Sequence, residues 1–183
     1  MPVKLPKVQS AVLGYLFDHA PVAPEAEAFE FRSTSDGATQ FAASAALSDD
    51  AGLHLVSTLA SRGAHVFLTV TDGEPDDVAA ALADIETYDA RTTRLAHGDT
   101  VPLERDVLRA AGRTAALLLR PAVSNALPEF PDTATVSRRA LHFFLVVFLD
   151  DVEHSLKKAQ GLDALLDRFE TADRDLVQLK PGA

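Results

Sequence analysis

The chain has 183 residues, long enough to bury one full-sized core, and its 47% hydrophobic and 24% charged residues are those of a folded globular domain rather than a disordered chain. Lys and Arg number 17 against 27 Asp and Glu, so the net charge is −10, which disfavours generic binding to the phosphate backbone of nucleic acid. The absence of cysteine excludes disulfides, thiol catalysis and thiolate zinc sites.

At the N-terminus Lys4 and Lys7 are followed by Ser10, Gly14, Tyr15, Asp18 and His19, too polar a segment for a signal-peptide core. The longest apolar run, Phe143 to Leu149, has the length of a buried strand and not of a membrane span. The expected location is therefore cytoplasmic, with no membrane partner. Val8, Val12, Tyr15 and Leu16 recur at helical spacing over 7–19, and Pro21 and Pro24 stop that helix. Residues 21–28 read as a linker. Phe29 and Phe31 alternate around Glu30 as in a strand, and Ser35-Asp36-Gly37 reads as a hairpin-type turn.

Residues 53–59 and 65–71 read as an adjacent pair of strands, bounded by Gly52, by Ser61-Arg62-Gly63 and by Asp72-Gly73. Glu74-Pro75-Asp76-Asp77 opens a helix, because proline suits the first turn and acids complement its positive dipole end. Val78, Leu82 and Ile85 mark its buried face and Arg91 its C-terminal end. Residues 92–113 read mostly as loop, 114–119 as a buried strand stopped by Pro121, and 121–136 as a proline-rich loop.

The strongest strand signal is 140–149. Leu141, Phe143, Leu145, Val147 and Leu149 point to one face, and His142, Phe144, Val146 and Phe148 to the other, so both faces are expected to be covered. Asp150 or Asp151 caps a following helix, expected to turn Val152 and Leu156 inward and to expose a Glu153–Lys157 pair. Gly161 breaks it, Asp163 starts another, and 176–179 reads as a last strand or extended edge. This order is not a βαβ alternation. It predicts one α+β domain over residues 1–183, with a mixed, mainly antiparallel sheet and helices packed on it.

No His-Glu-x-x-His run, Gly-x-Ser-x-Gly elbow or glycine-rich phosphate loop is present, so no cofactor or metal is indicated. His54, His65 and His142 lie on predicted strands and would converge only through the fold. The acidic groups 72–77 and 150–153 each begin a predicted helix, where capping explains them better than a calcium site. Arg91, Arg94, Arg105, Arg109, Arg113 and Arg120 make 91–120 locally cationic. Without interleaved aromatics, this reads as a surface whose arginines pair locally and not as a single-strand binder. Five lysines against twelve arginines, with abundant alanine, match the coding habit of a high-GC bacterium.

Four segments in order resemble the suppressor-of-fused-like (SUFU-like) domain family, in its bacterial form. They are Leu55–Ser61 with His65–Leu68; Leu95-Ala96-His97-Gly98-Asp99-Thr100-Val101-Pro102-Leu103; Ala116–Pro121; and Leu141–Glu153 with Gly161–Leu166. The resemblance spans about residues 50–170, and the last segment is the most specific. The chain departs from the family pattern where Leu59 or Ala60 replaces a glycine and His65 a glutamate, and where Val147-Phe148-Leu149 stands in place of a proline-containing ending, whereas Glu153 matches the family's glutamate.

The resemblance implies a non-enzymatic protein-binding domain. In animals such domains restrain a transcription factor by direct binding, and in bacteria they resemble immunity proteins that neutralise polymorphic toxins. The charge of −10 would speed encounter with a cationic toxin. The family's partner-binding motif is not recognisable here. Five polar residues within the matched segments, His97, Asp99, Asp150, Asp151 and Glu153, are the candidates for touching a partner. The alternatives are a small metal-dependent or hydrolytic enzyme built on the strand histidines, and a structural homodimer.

Overall fold

The computed structural model describes residues 2–50, 52–92, 94–176 and 179. The elements are α1 (Lys7–His19), β1 (Val22–Arg32), β2 (Thr39–Leu47), β3 (His54–Thr58), β4 (His65–Thr71), α2 (Pro75–Arg91), β5 (Thr100–Pro102), α3 (Asp106–Ala110), β6 (Ala115–Leu119), β7 (Thr133–Val136), β8 (Arg139–Leu149), α4 (Asp151–Gln160) and α5 (Leu162–Thr171). The eight strands form one sheet in the order β1-β2-β3-β4-β8-β6-β5, with β7 also on β8. Among the described residues, only β4 and β8 pair in parallel. The α+β class with a mixed, mainly antiparallel sheet is the one the sequence predicts.

β8 is the central strand. His142 pairs with both β4 and β7, and Leu145 with both β4 and β6, so β6 and β7 share one edge of β8 while β4 takes the other. Its alternation divides the core. Leu141, Phe143, Leu145, Val147 and Leu149 pack with Val12 and Leu16 of α1 and Leu165 and Phe169 of α5. Val146 and Phe148 pack on the opposite face with Val78, Leu82 and Ile85 of α2 and Leu108 of α3. Helices therefore cover both faces of the sheet, and among the described residues none is long and apolar enough to cross a membrane.

Several expectations are corrected. Residues 21–28 are not a linker but the first half of β1, an edge strand in which Pro24 is tolerated beside a register shift between Val22 and Ala26. The 92–113 loop contains β5 and α3, and the 121–136 loop contains a 3₁₀ turn at Pro121–Val123 and β7. The expected faces of α4 hold only in part: Leu156 packs against the core, but Val152 is 61% exposed and Glu153 only 8%. Residues 177 and 178 of the expected last strand lie outside the described residues. Leu179 is buried, and its N–H donates to Asp72 Oδ1 at 2.9 Å.

The β3–β4 turn knots the N-terminal half together. Ala60 has φ 55°, the left-handed region that favours glycine, and it is one of the two positions, with Leu59, at which the family resemblance expects a glycine. Its carbonyl accepts from Gln9 of α1 at 3.4 Å and from Arg139 of β8 at 3.3 Å, and Arg139 also donates to the Gly63 carbonyl at 2.7 Å. Arg62 forms an ion pair with Asp36 in the β1–β2 turn, which holds the Asp36 carboxyl well below the usual carboxylate range.

Candidate functional site

The helix α2 is locked to the N-terminal strands by a buried polar cluster. Glu86 is 2% exposed. Its Oε1 accepts from the Ser61 N–H at 2.8 Å and the Arg62 N–H at 3.3 Å, and its Oε2 from Gln40 Nε2 at 2.9 Å. Gln40 Nε2 also donates to the Ala83 carbonyl at 3.0 Å, and its Oε1 accepts from Thr87 Oγ1 at 2.9 Å. Burial pushes the Glu86 carboxyl up, and the Gln40, Arg62 and Ser61 donors only partly oppose it.

Over the C-terminal half of this helix lies a groove of about 790 Å³. Phe31 and Arg32 at the end of β1, Thr87, Tyr88 and Arg91 of α2, and residues 101–105 line it. Arg105 spans it to Asp84 with two hydrogen bonds, 2.6 and 3.1 Å, between two exposed side chains. The volume falls within the usual range for a binding pocket, and the lining mixes aromatic carbon with guanidinium groups.

A second polar cluster sits at the start of β4. His65 is 5% exposed. Arg94 Nε donates to its Nε2 at 3.2 Å, so Nε2 is the acceptor nitrogen and Nδ1 donates to Asp89 Oδ1 at 3.0 Å. Asp89 Oδ1 also accepts from the Leu95 N–H at 2.7 Å. Burial lowers the His65 pKa, Asp89 opposes this, and Arg94 and His142 reinforce it. The neutral imidazole is thus the native form. A histidine whose folded pKa is depressed stabilises the fold above its unfolded value of about 6.5 and loses that contribution as pH falls. Thermal unfolding at pH 7.5 and 5.5 should show a drop on acidification that His65→Gln reduces. An equal drop in the variant would remove His65 as its source.

The strand histidines converge only in part. The His65 and His142 rings lie 5.7 Å apart, but His54 pairs with Thr71 at the other end of β4. No group of three His, Asp or Glu able to hold a metal occurs among the described residues.

The residues proposed from sequence to touch a partner form two separate groups. Asp99 closes the 96–99 turn, its Oδ2 accepting from the Ala96 N–H at 2.9 Å, and His97 beside it is exposed. Gly98 of that turn abuts Leu162, beyond the C-terminus of α4. Asp150, Asp151 and Glu153 stand at the other end of that helix, which at about 1.5 Å per residue is on the order of 15 Å long. Asp151 is exposed, while Asp150 and Glu153 form a capping box. None of the five lines the groove. Local pairing of the cationic segment holds for Arg94, Arg105 and Arg120, the last 3.6 Å from Asp132.

The groove was not legible in the sequence. Its walls come from segments some 70 residues apart, and the only local signal was the excess of arginine after residue 90.

No family model matches the chain, and no curated protein does. Among solved structures, the fold is similar to that of a protein described as a SUFU (suppressor of fused) homologue from Neisseria gonorrhoeae FA 1090, at 12% identity and a TM-score of 0.66, covering 96% of each chain. It is also similar to a chain of the Sufu–Fu complex, at 10% identity and a TM-score of 0.51, over 100% of this chain and 84% of that one. Drosophila Suppressor of Fused aligns at 10% identity and a TM-score of 0.49, over 87% of this chain and 42% of its own length. The likeness reaches past the segment that the sequence motifs covered and takes in the N-terminal third: this chain has the suppressor-of-fused-like fold.

Proposed function

We propose that this chain is a non-enzymatic protein-binding domain. The observation that carries the reading is its fold, shared along nearly the whole chain with a bacterial SUFU homologue and, at lower similarity, with the protein solved in the Sufu–Fu complex. The histidine cluster supports it as well. Both ring nitrogens of His65 are engaged, one by Asp89 and one by Arg94, an arrangement that fixes the start of β4 and leaves neither nitrogen for proton transfer to a substrate.

As an immunity protein the domain would neutralise a toxin by covering it, and the net charge of −10 would draw in a cationic one from a distance. Self-association through β1 is disfavoured, because its edge carries the exposed Glu25, Glu27 and Glu30 and a second copy would set like charges together. Light scattering should therefore show a monomer at the highest attainable concentration, and a dimer would contradict this. Chemical cross-linking in the cell of origin, followed by mass spectrometry, tests the main reading. A protein partner enriched over a tag-only control is expected, and recovery of none would overturn it.

A further inference from the structure

We propose that the groove over the C-terminal half of α2 is the docking surface, and that it takes an extended acidic segment of the partner protein carrying an aromatic or aliphatic anchor; this rests on the protein-binding reading above.

Charge is the first argument. In a chain of net charge −10 the groove carries three guanidinium groups, Arg32, Arg91 and Arg105, against the carboxylates of Asp84 and Glu104. Arg105 and Asp84 neutralise each other, and among the described residues neither Arg32 nor Arg91 has an ion-pair partner. The groove is thus locally cationic in an acidic molecule. A negatively charged segment is attracted here although the molecule as a whole is acidic, which favours register and specificity. Attraction of a cationic protein over long range does not conflict with this, since such a protein can present an acidic loop at contact.

Apolar character is the second. Tyr88 is 38% exposed, and Phe31 at the opposite wall is half-buried. Tyrosine and arginine are the residue types that most often anchor protein interfaces, through large rigid contact area and forked hydrogen bonding to carboxylates. The third argument is preorganisation. Gln40, Thr87 and Glu86 bond the helix to β2 and to the β3–β4 turn, so the surface exists before binding and little ordering cost falls on the complex.

The test selects a phage-displayed library of random peptides on the intact domain, then titrates the enriched peptides, fluorescein-labelled, by anisotropy. Enriched sequences should be acidic with an aromatic or aliphatic residue, and their affinity should fall with added salt. Arg91→Glu and Tyr88→Ala should each weaken binding about tenfold or more. Lys158→Glu, the same charge reversal on the exposed face of α4, should leave it unchanged. Circular dichroism of the variants should match the wild type, since both altered side chains are exposed. Amide shifts of Thr87 and Tyr88 on peptide addition give a readout that needs no variant. Basic enriched peptides, no enrichment, or equal binding by Arg91→Glu would overturn the groove and leave the protein-binding reading standing. Polyuridylate that competes more strongly than the peptide would overturn it in favour of nucleic acid. Failure of the cross-linking experiment would instead remove the protein-binding reading itself.

Discussion

Glu153→Ala is expected to destabilise the fold by about 3–5 kcal/mol, because it leaves a buried guanidinium without its carboxylate. Arg174 grips Glu153 with two hydrogen bonds, Nε to Oε1 at 2.7 Å and Nη2 to Oε2 at 3.1 Å, and its Nη2 also donates to the Phe148 carbonyl at 2.9 Å. The two side chains are only 14% and 10% exposed, so water replaces little of what is lost. The same glutamate closes the capping box of α4: its carboxylate accepts from the Asp150 N–H at 3.0 Å, and its own N–H donates to Asp150 Oδ1 at 2.8 Å. One residue thus ties the start of α4, the end of β8 and the segment after α5. Urea denaturation measures the loss, and Asp151→Ala, at an exposed position two residues earlier, should stay within about 0.5 kcal/mol of wild type. A loss at Glu153 no larger than at Asp151 would show that the pair holds nothing.

The second large effect is expected at Glu86. Glu86→Ala removes the acceptor for three N–H donors that tie α2 to β2 and the β3–β4 turn, at a cost of about 3 kcal/mol once partial hydration of the turn is allowed for. The two glutamates should respond to pH in opposite senses. Burial pushes Glu153 up, but the Arg174 hydrogen bonds, the Asp150 N–H and the charges of Arg174 and Arg113 outweigh it, so its folded pKa is lowered. Its contribution is present above the unfolded value near 4.5 and is lost as pH falls through the folded one. The folded pKa of Glu86 is raised, so its contribution is fully present below 4.5 and declines as pH rises through the folded value. The difference between wild type and Glu153→Ala should therefore shrink between pH 7 and pH 4, while that between wild type and Glu86→Ala grows. Parallel trends would contradict the assigned environments.

Both glutamates show where pattern reading stops. Glu86 lies four residues after Leu82 and eight after Val78, on the apolar stripe itself, and that register was the available signal. Residue type argued the other way, since a glutamate is buried only when something neutralises or bonds it. For Glu153 the capping position was legible and the burial was not, because Arg174 lies 21 residues further on. The linker assigned to 21–28 failed for a related reason. Pro24 argues against a strand unless the strand is at an edge, and edge position is a property of the whole sheet.

The sequence by itself determined the α+β class, the central place of β8 with apolar side chains on both faces, the β3–β4 pair, the helix over 75–91 with its proline start, and the Asp150 cap. All of these rest on spacing or capping within about ten residues, where local sterics and periodicity decide. Only the tertiary structure decided which glutamates are buried, that His54 parts from His65 and His142, and that Arg32, Tyr88 and Arg105 border one groove. Those outcomes depend on strand order and on the packing of α2 against the sheet, which bring together residues far apart in the chain and which no local pattern encodes.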